Sequence, residues 1–348
     1  MDKQLVLREI LLTIYDEQKL LSDFLVRHNL RYEEDIEYAV GLFEDYRLMA
    51  CGCCSGSILK CFAVEEQLRK KNILGNIVSA LVSNRFNEGY FEPIVITPSR
   101  NSILFINSGF HPVAETDDLV FLEHRADGVE RFIADIHKSY NNGEQAGAII
   151  MNCNPFTKGH RYLVEYAAEH CELLHIFVVQ EDRSIFPFDH RFRLVQLGVS
   201  DLNNVHVHAG GNYIISSATF PSYFVKKEDD KVKMQAELDA TLFASRIAPP
   251  LNINVRFVGT EPNCVVTKQY NSILKMVLPN FGIKVIEIER CKSSDGEVIS
   301  ASRVRQLLAE GTVDKLLLKL VPESTYEYLT SESASYIIDA LRNLKATE

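Results

Sequence analysis

No stretch of the chain approaches about 18 consecutive apolar residues, so none reads as a transmembrane helix. The opening residues, MDKQLVLREILLTIYDEQ, carry acids inside their apolar pattern, which argues against a secretory signal peptide and makes the cytoplasm the expected compartment. Positive charge is in deficit: 37 Lys and Arg against 47 Asp and Glu give a formal net charge of −10. That balance excludes broad non-specific nucleic-acid binding, and neither nucleic acid nor membrane is expected as a partner. A local basic cluster at Lys158, Arg161, Arg183, Arg191 and Arg193 can still meet phosphates. Paired cysteine motifs are missing too. Among Cys51, Cys53, Cys54, Cys61, Cys153, Cys171, Cys264 and Cys291, no Cys-x-x-Cys finds a matching second pair, and the cluster at Cys51 to Cys54 has no nearby His. Buried free thiols are the expectation, with no dedicated metal site. Internal repeats and low-complexity tracts are also absent.

What is present is enough chain for two domains: 348 residues. Composition shifts near ADGVERFIADIHKSYNNGEQA, where a helix runs into the polar turn Asn141-Asn142-Gly143-Glu144, so the domains are placed at 1–130 and 145–348. The first part reads as helices at 5–12 and up to Arg27, then strands at 33–43, 46–54 and 57–64. A long amphipathic helix over 73–87, a strand over 91–97 and a short helix over 101–108 follow. The second part alternates: strands at 148–152, 173–180, 205–209, 255–259 and 284–290 are separated by helical stretches at 161–171 and 189–199. Such alternation predicts a parallel sheet covered on both faces, with ligands at the strand C-terminal ends.

Two segments carry chemistry at those ends. In GAIIMNCNPFTKGHRYLVEYAA, an apolar strand breaks at Asn154-Pro155 and a helix begins near Thr157. Unpaired backbone N–H groups and the positive end of the helix dipole favour a polyphosphate there. Gly159 removes a side chain where the backbone must come close to phosphate, and His160 can donate to a phosphoryl oxygen as charge develops. The plainer alternative is a capped helix start with an exposed His. About 140 residues downstream, Ile299-Ser300-Ala301-Ser302-Arg303-Val304-Arg305 opens another helix. Taken alone, that piece reads better as a Ser N-cap on a surface helix beside an ordinary solvated Arg.

The first segment resembles the nucleotide-binding signature of the nucleotidyltransferase α/β phosphodiesterase superfamily, and the second resembles that family's Ile-Ser-Ser-Thr-x-x-Arg box. The resemblance implies a HIGH-type, Rossmann-like domain that transfers a nucleotidyl group from ATP, with magnesium arriving on the phosphates. It assigns His160 and Thr157 to the phosphates near the reacting centre, with Lys158 as a second cation. Ser300, Ser302 and Arg305 are assigned to the leaving pyrophosphate, and Asn154, Pro155, Phe156 and Gly159 shape the nucleotide site. Thr157 stands where many relatives have a first His, as in the branch that adenylylates phosphopantetheine, and Ala301 replaces a hydroxyl of the second box. Arg191 is a candidate for the α-phosphate or the acceptor, or is merely solvated. Gly259, Thr260 and Glu261 form a turn that faces ribose or adenine, or is an ordinary turn.

The order of elements in the first part resembles the GNAT acyltransferase fold. Arg69 sits in the expected pyrophosphate loop, but Asn72 and Leu74 occupy its two small positions, which crowds phosphate against the backbone. A degenerate domain is expected, one that docks a partner or loosely holds a CoA-like arm. With VVQEDRSIFP, SSATFPSYF and GTEP, the whole chain resembles the citrate lyase ligase family. That implies activation of acetate as acetyl-AMP and acetylation of the prosthetic-group thiol on the citrate lyase acyl carrier subunit. Arg183, Phe186, Thr219 and Tyr223 then become candidates for the substrate side, although the aromatics are equally candidates for packing. Open alternatives are an adenylyltransferase with a phosphorylated acceptor, an acetyl-CoA-dependent acetyltransferase, and a non-catalytic docking module.

Overall fold

The computed structural model describes residues 4–68, 73–137, 145–180, 184–215, 220–225, 228–261, 264–293, 296–311 and 316–347. The elements run β1 (Leu5–Glu9), α1 (Tyr15–Arg27), β2 (Tyr38–Glu44), β3 (Arg47–Ser55), β4 (Ile58–Val64), α2 (Ile73–Asn87), β5 (Ile94–Pro98), α3 (Ser102–Ile106), β6 (His111–Glu115), β7 (Leu119–Glu123) and α4 (Gly128–His137). They continue with β8 (Ala146–Met151), α5 (Lys158–Glu169), β9 (Leu173–Val178), α6 (Phe188–Gly198), β10 (Val205–Ala209), α7 (Glu228–Leu242), β11 (Ile253–Gly259), α8 (Val265–Val277), β12 (Lys284–Ile288), α9 (Ala301–Ala309), α10 (Leu317–Leu320), α11 (Glu323–Thr330) and α12 (Ser335–Thr347). Among the described residues no helix is long and apolar enough to cross a membrane.

Two compact units emerge, one of Met1–Arg131 with Thr219–Leu242, the other of Phe132–Ala218 with Phe243–Glu348. The first unit is α+β. Its seven-stranded sheet has the order β1-β2-β3-β4-β5-β7-β6. Neighbouring strands are antiparallel except β4 and β5, which pair in parallel at Ile58↔Ile94 and Leu59↔Val95. Apolar residues alternate across the central strands, so one face (Val40, Leu42, Ala50, Leu59) packs on Ile73, Ile77, Val78, Leu81 and Val82 of α2. The opposite face (Ala39, Phe43, Cys51, Cys53, Cys61) packs on Leu21, Phe24 and Leu25 of α1. Residues 5–9, expected to be helical, form an edge strand instead, because pairing Leu5↔Glu44 through Glu9↔Val40 satisfies their backbone groups and leaves most side chains outward.

Segment 220–225 and α7 belong with this unit, although they follow a length of second-unit sequence. Tyr223 sits in the α1-side core, its carbonyl accepts from the Arg31 amide at 2.9 Å, and Glu33 Oε1 accepts from the Ser222 amide and hydroxyl at 2.7 and 2.9 Å. Lys60, only 3 % exposed, bridges Glu33 and Asp35. Five thiols, Cys51, Cys53, Cys54, Cys61 and Cys153, are buried and free as expected, whereas Cys264 is exposed and Cys171 and Cys291 are partly so.

The second unit is the expected Rossmann-like α/β domain. Its five strands are all parallel in the order β10-β9-β8-β11-β12. The order in which strands are added reverses between β8 and β11, the switch point past whose C-terminal ends open α/β sheets generally bind ligands. A second core, built from Phe186, Ile299, Val304, Leu307, Leu317, Leu329 and Ile337, binds α9 to α12 to the loop after β9.

Candidate active site

β8 ends at Met151, and the chain turns through a cis Asn154–Pro155 peptide into α5. Thr157 is the N-cap, with extended backbone and a side chain that accepts from the His160 amide at 3.3 Å. His160 closes the reciprocal half of a capping box: the Thr157 amide donates to His160 Nδ1 at 3.0 Å. Because Nδ1 accepts, the ring proton belongs on Nε2, and the free edge of the ring is a donor. Burial, helped by the nearby Arg290 guanidinium, pushes the imidazole pKa down to about 4, so the ring is neutral near pH 7. A neutral Nε2–H donor therefore stands at the positive end of a helix.

Gly159 explains how the two segments meet. A Cβ placed there would lie 2.9 Å from the Ile299 carbonyl oxygen. The start of α5 and the residue before the α9 cap are thus in direct backbone contact, and any larger residue at 159 drives them apart. Ser300 caps α9 by accepting from the Arg303 amide at 3.2 Å. Arg305 reaches back from α9, donating to the Asn154 carbonyl at 2.5 Å and to Ser302 Oγ at 3.1 Å. Two helix N-termini and a guanidinium tied to the Asn-Pro turn therefore form one cationic edge. On the neighbouring strands, the Thr260 amide donates to the Ile288 carbonyl at 2.8 Å, and Arg290 pairs with Glu261.

The comparisons with known proteins meet this geometry. A family model described as the citrate lyase ligase C-terminal domain matches residues 146–329. The citrate (pro-3S)-lyase ligase of Klebsiella pneumoniae is 37% identical over 331 residues, covering 93% of this chain and 96% of its own. The chain belongs to the citrate lyase ligase family. The Haemophilus influenzae member is 38% identical over 328 residues, covering 91% of this chain and 97% of its own. Among solved structures, a bifunctional NMN adenylyltransferase/ADP ribose pyrophosphatase from Francisella tularensis aligns at 16% identity over 57% of this chain and 52% of its own, with a TM-score of 0.37, too slight to carry an argument.

In this citrate lyase ligase family member, the sequence-derived candidates separate into several groups. Thr157, Gly159, His160, Ser300, Ser302 and Arg305 converge as described. Lys158 donates to the Leu318 carbonyl at 2.5 Å from an exposed position. Gly259 lends its carbonyl to Asn271 Nδ2 at 2.9 Å, while Thr260 and Glu261 both engage Arg290.

Other candidates are structural where they stand. Arg191 is 0 % exposed. Its Nε donates to the Phe186 carbonyl at 2.9 Å and its Nη1 to the Asn152 and Val179 carbonyls at 2.8 and 2.9 Å, which makes it a clamp under the strand ends. Phe186 is buried in the helical core, its amide held by Asn154 Oδ1, so it is no surface cover for a substrate. Phe156 and Pro155 are buried as well, with the Phe156 ring seated against Gly198, where a Cβ would come within 2.3 Å of it. Tyr223 belongs to the first unit's core. Arg161 of the basic cluster is committed to Asp201, at 2.5 and 2.7 Å, and to Glu165 at 2.8 Å. Arg183 and Thr219 lie outside the described residues. Cys153 is buried, and burial raises its thiol pKa far above the ordinary value, so it is an inert neutral core group. Sequence reading missed Arg290 and Asn152; the available signal was a cation two residues past β12 and an amide one residue past β8.

Proposed function

We propose that this chain is an ATP-dependent ligase that activates acetate as acetyl-AMP and acetylates the prosthetic-group thiol of the citrate lyase acyl carrier subunit. The observation that carries the reading is the neutral, Nε2-protonated His160 in the α5 capping box, with the α9 start in backbone contact at Gly159. Family membership supports citrate lyase as the partner, and acetate as the activated acid is part of the proposal. An acetate oxygen attacks the α-phosphorus of ATP in line, the bond to the β-phosphate bridge oxygen breaks, and pyrophosphate leaves. The carrier thiolate then attacks the acetyl carbonyl and AMP departs with its phosphate oxygen negative; the thiol's proton goes to solvent.

Little covalent chemistry falls to the protein, whose work is positioning and charge stabilisation. His160 Nε2–H donates to a phosphoryl oxygen, and a neutral ring loses no proton in doing so. First-turn amides of α5 and α9, with Ser300, Ser302 and Arg305, hold the pyrophosphate end. Arg191, buried beneath, fixes the Asn152 backbone from which the turn departs. Magnesium would arrive with the nucleotide and would supply charge neutralisation at the phosphates, beside Ser300, Ser302 and Arg305. Among the described residues no group of three His, Cys, Asp or Glu side chains is arranged to hold a metal ion.

The test is incubation with deacetylated citrate lyase, labelled acetate, ATP and magnesium. Label on the carrier subunit with one AMP released per acetyl group is the expected result. ADP as the product, or label transfer only from acetyl-CoA, would replace the reading with a kinase-type or acetyltransferase activity.

A further inference from the structure

We infer that Arg290 is a phosphate-binding residue of this site and that Glu261 aims it, an inference that rests on the adenylation reading above. Arg290 follows β12 by two positions, beside the end of β11, at the C-terminal edge of the sheet. Its amide donates to Thr260 Oγ1 at 3.2 Å, its Nε donates to the Thr260 carbonyl at 2.8 Å, and its Nη2 pairs with Glu261 Oε2. These contacts use one edge of the guanidinium. Among the described residues Nη1 has no partner, and the side chain remains 30 % exposed while that of Glu261 is 10 % exposed. A planar fork tied along one edge and open along the other is suited to bidentate binding of a phosphate.

The electrostatics agree. The Arg290 charge disfavours the imidazolium of His160, and β11, whose end carries Thr260 and Glu261, pairs with β8, whose C-terminal turn leads to His160. An unpaired carboxylate on this rim would repel a polyphosphate; the pairing neutralises Glu261 and at the same time fixes the direction of the guanidinium. Glu261 is a positioning residue, acting through Arg290. A structural tie between β11 and β12 would need the Thr260 contacts alone, since those already join the two strand ends, and would not require a carboxylate at 261.

The test compares full-length wild type, Arg290→Ala, Arg290→Gln and Glu261→Gln by calorimetric binding of ATP and inorganic pyrophosphate and by acetate-dependent ATP–pyrophosphate exchange. Arg290→Ala is expected to weaken both ligands at least about tenfold and to slow exchange by about 10²-fold, the effect of losing one charge-stabilising donor. Added guanidinium should restore part of that rate. Glu261→Gln should leave the KM for ATP within about threefold while lowering kcat by about tenfold, because the donor is present but misdirected. Unchanged ligand affinity in folded Arg290→Ala would overturn the inference. Should that variant not fold, Arg290→Gln, whose amide can still reach the Thr260 carbonyl, takes its place with the same two outcomes. Wild type that binds ATP without exchanging, even with deacetylated citrate lyase present, would remove the adenylation reading, and the binding data would then decide the role of Arg290 on their own.

Discussion

Gly159→Ala separates two effects that are usually confounded. In a helix, Ala is favoured over Gly by about 1 kcal/mol. Here the new Cβ would meet the Ile299 carbonyl oxygen at 2.9 Å, and that oxygen is backbone. Relief to an ordinary contact of about 3.4 Å requires the α5 and α9 starts to part by about 0.5 Å, a strain of the kind that costs about 1–3 kcal/mol in packed sites. The net loss of stability is therefore small, about 0–2 kcal/mol, and the fold survives. Activity should respond more. Displacement of the Ser300 cap and Arg305 relative to His160 by a fraction of an ångström is expected to slow exchange by about 10- to 100-fold, given that a misplacement near 1 Å costs about 10². The assay is a thermal melt beside steady-state exchange on the same preparation. A folded Gly159→Ala protein with kcat within about threefold of wild type would refute the claim that this backbone contact sets the site.

Other consequences follow from the same contacts. Arg191→Ala strips charged donors from the Asn152, Val179 and Phe186 carbonyls and should cost about 3–5 kcal/mol in a denaturant titration; a loss below about 1 kcal/mol would show the clamp to be dispensable. Gly198→Ala drives a methyl into the Phe156 ring, within 2.3 Å, and should destabilise the fold by about 1–3 kcal/mol, with a small-for-large change at 156 giving partial rescue. Burial pushes the pKa of His175 down to about 3 and that of His208 to about 4, and the His175 Nδ1 to His208 Nε2 contact is 3.0 Å. With folded values below the ordinary 6.5, the unfolded chain takes up protons first. Stability is therefore full above about pH 6.5 and is lost as pH falls toward 4, which denaturant midpoints measured across that range would show. A midpoint independent of pH over that window would contradict the neutral-histidine assignment.

The α/β alternation of the second unit and the location of both helix starts were legible because a parallel sheet announces itself by buried apolar runs and by turn chemistry at their ends. Thr157 and Ser300 were readable as caps for the same local reason. The pairing of Leu5–Glu9 with β2 was not, since a short amphipathic run fits either period and only the Glu44-to-Val40 partner decides. Nor was the first unit's claim on segment 220–225, which depends on Glu33 and Arg31 nearly 190 residues earlier. Aromatic residues beside a predicted loop misled most: Phe186 and Tyr223 are core residues, and aromatic content alone does not distinguish a cover from a core. Arg191 misled in the opposite sense, because a buried cation whose partners are backbone carbonyls leaves no mark in the sequence.

The central claim, that this site adenylates a carboxylate through a neutral His160 donor, is tested most directly by exchange of labelled pyrophosphate into ATP, with and without acetate, in wild type and His160→Ala. The account predicts exchange that requires acetate and falls by about 10²–10³ in the variant while its melting temperature is retained. Exchange that persists undiminished in folded His160→Ala, or that proceeds equally without acetate, would contradict it.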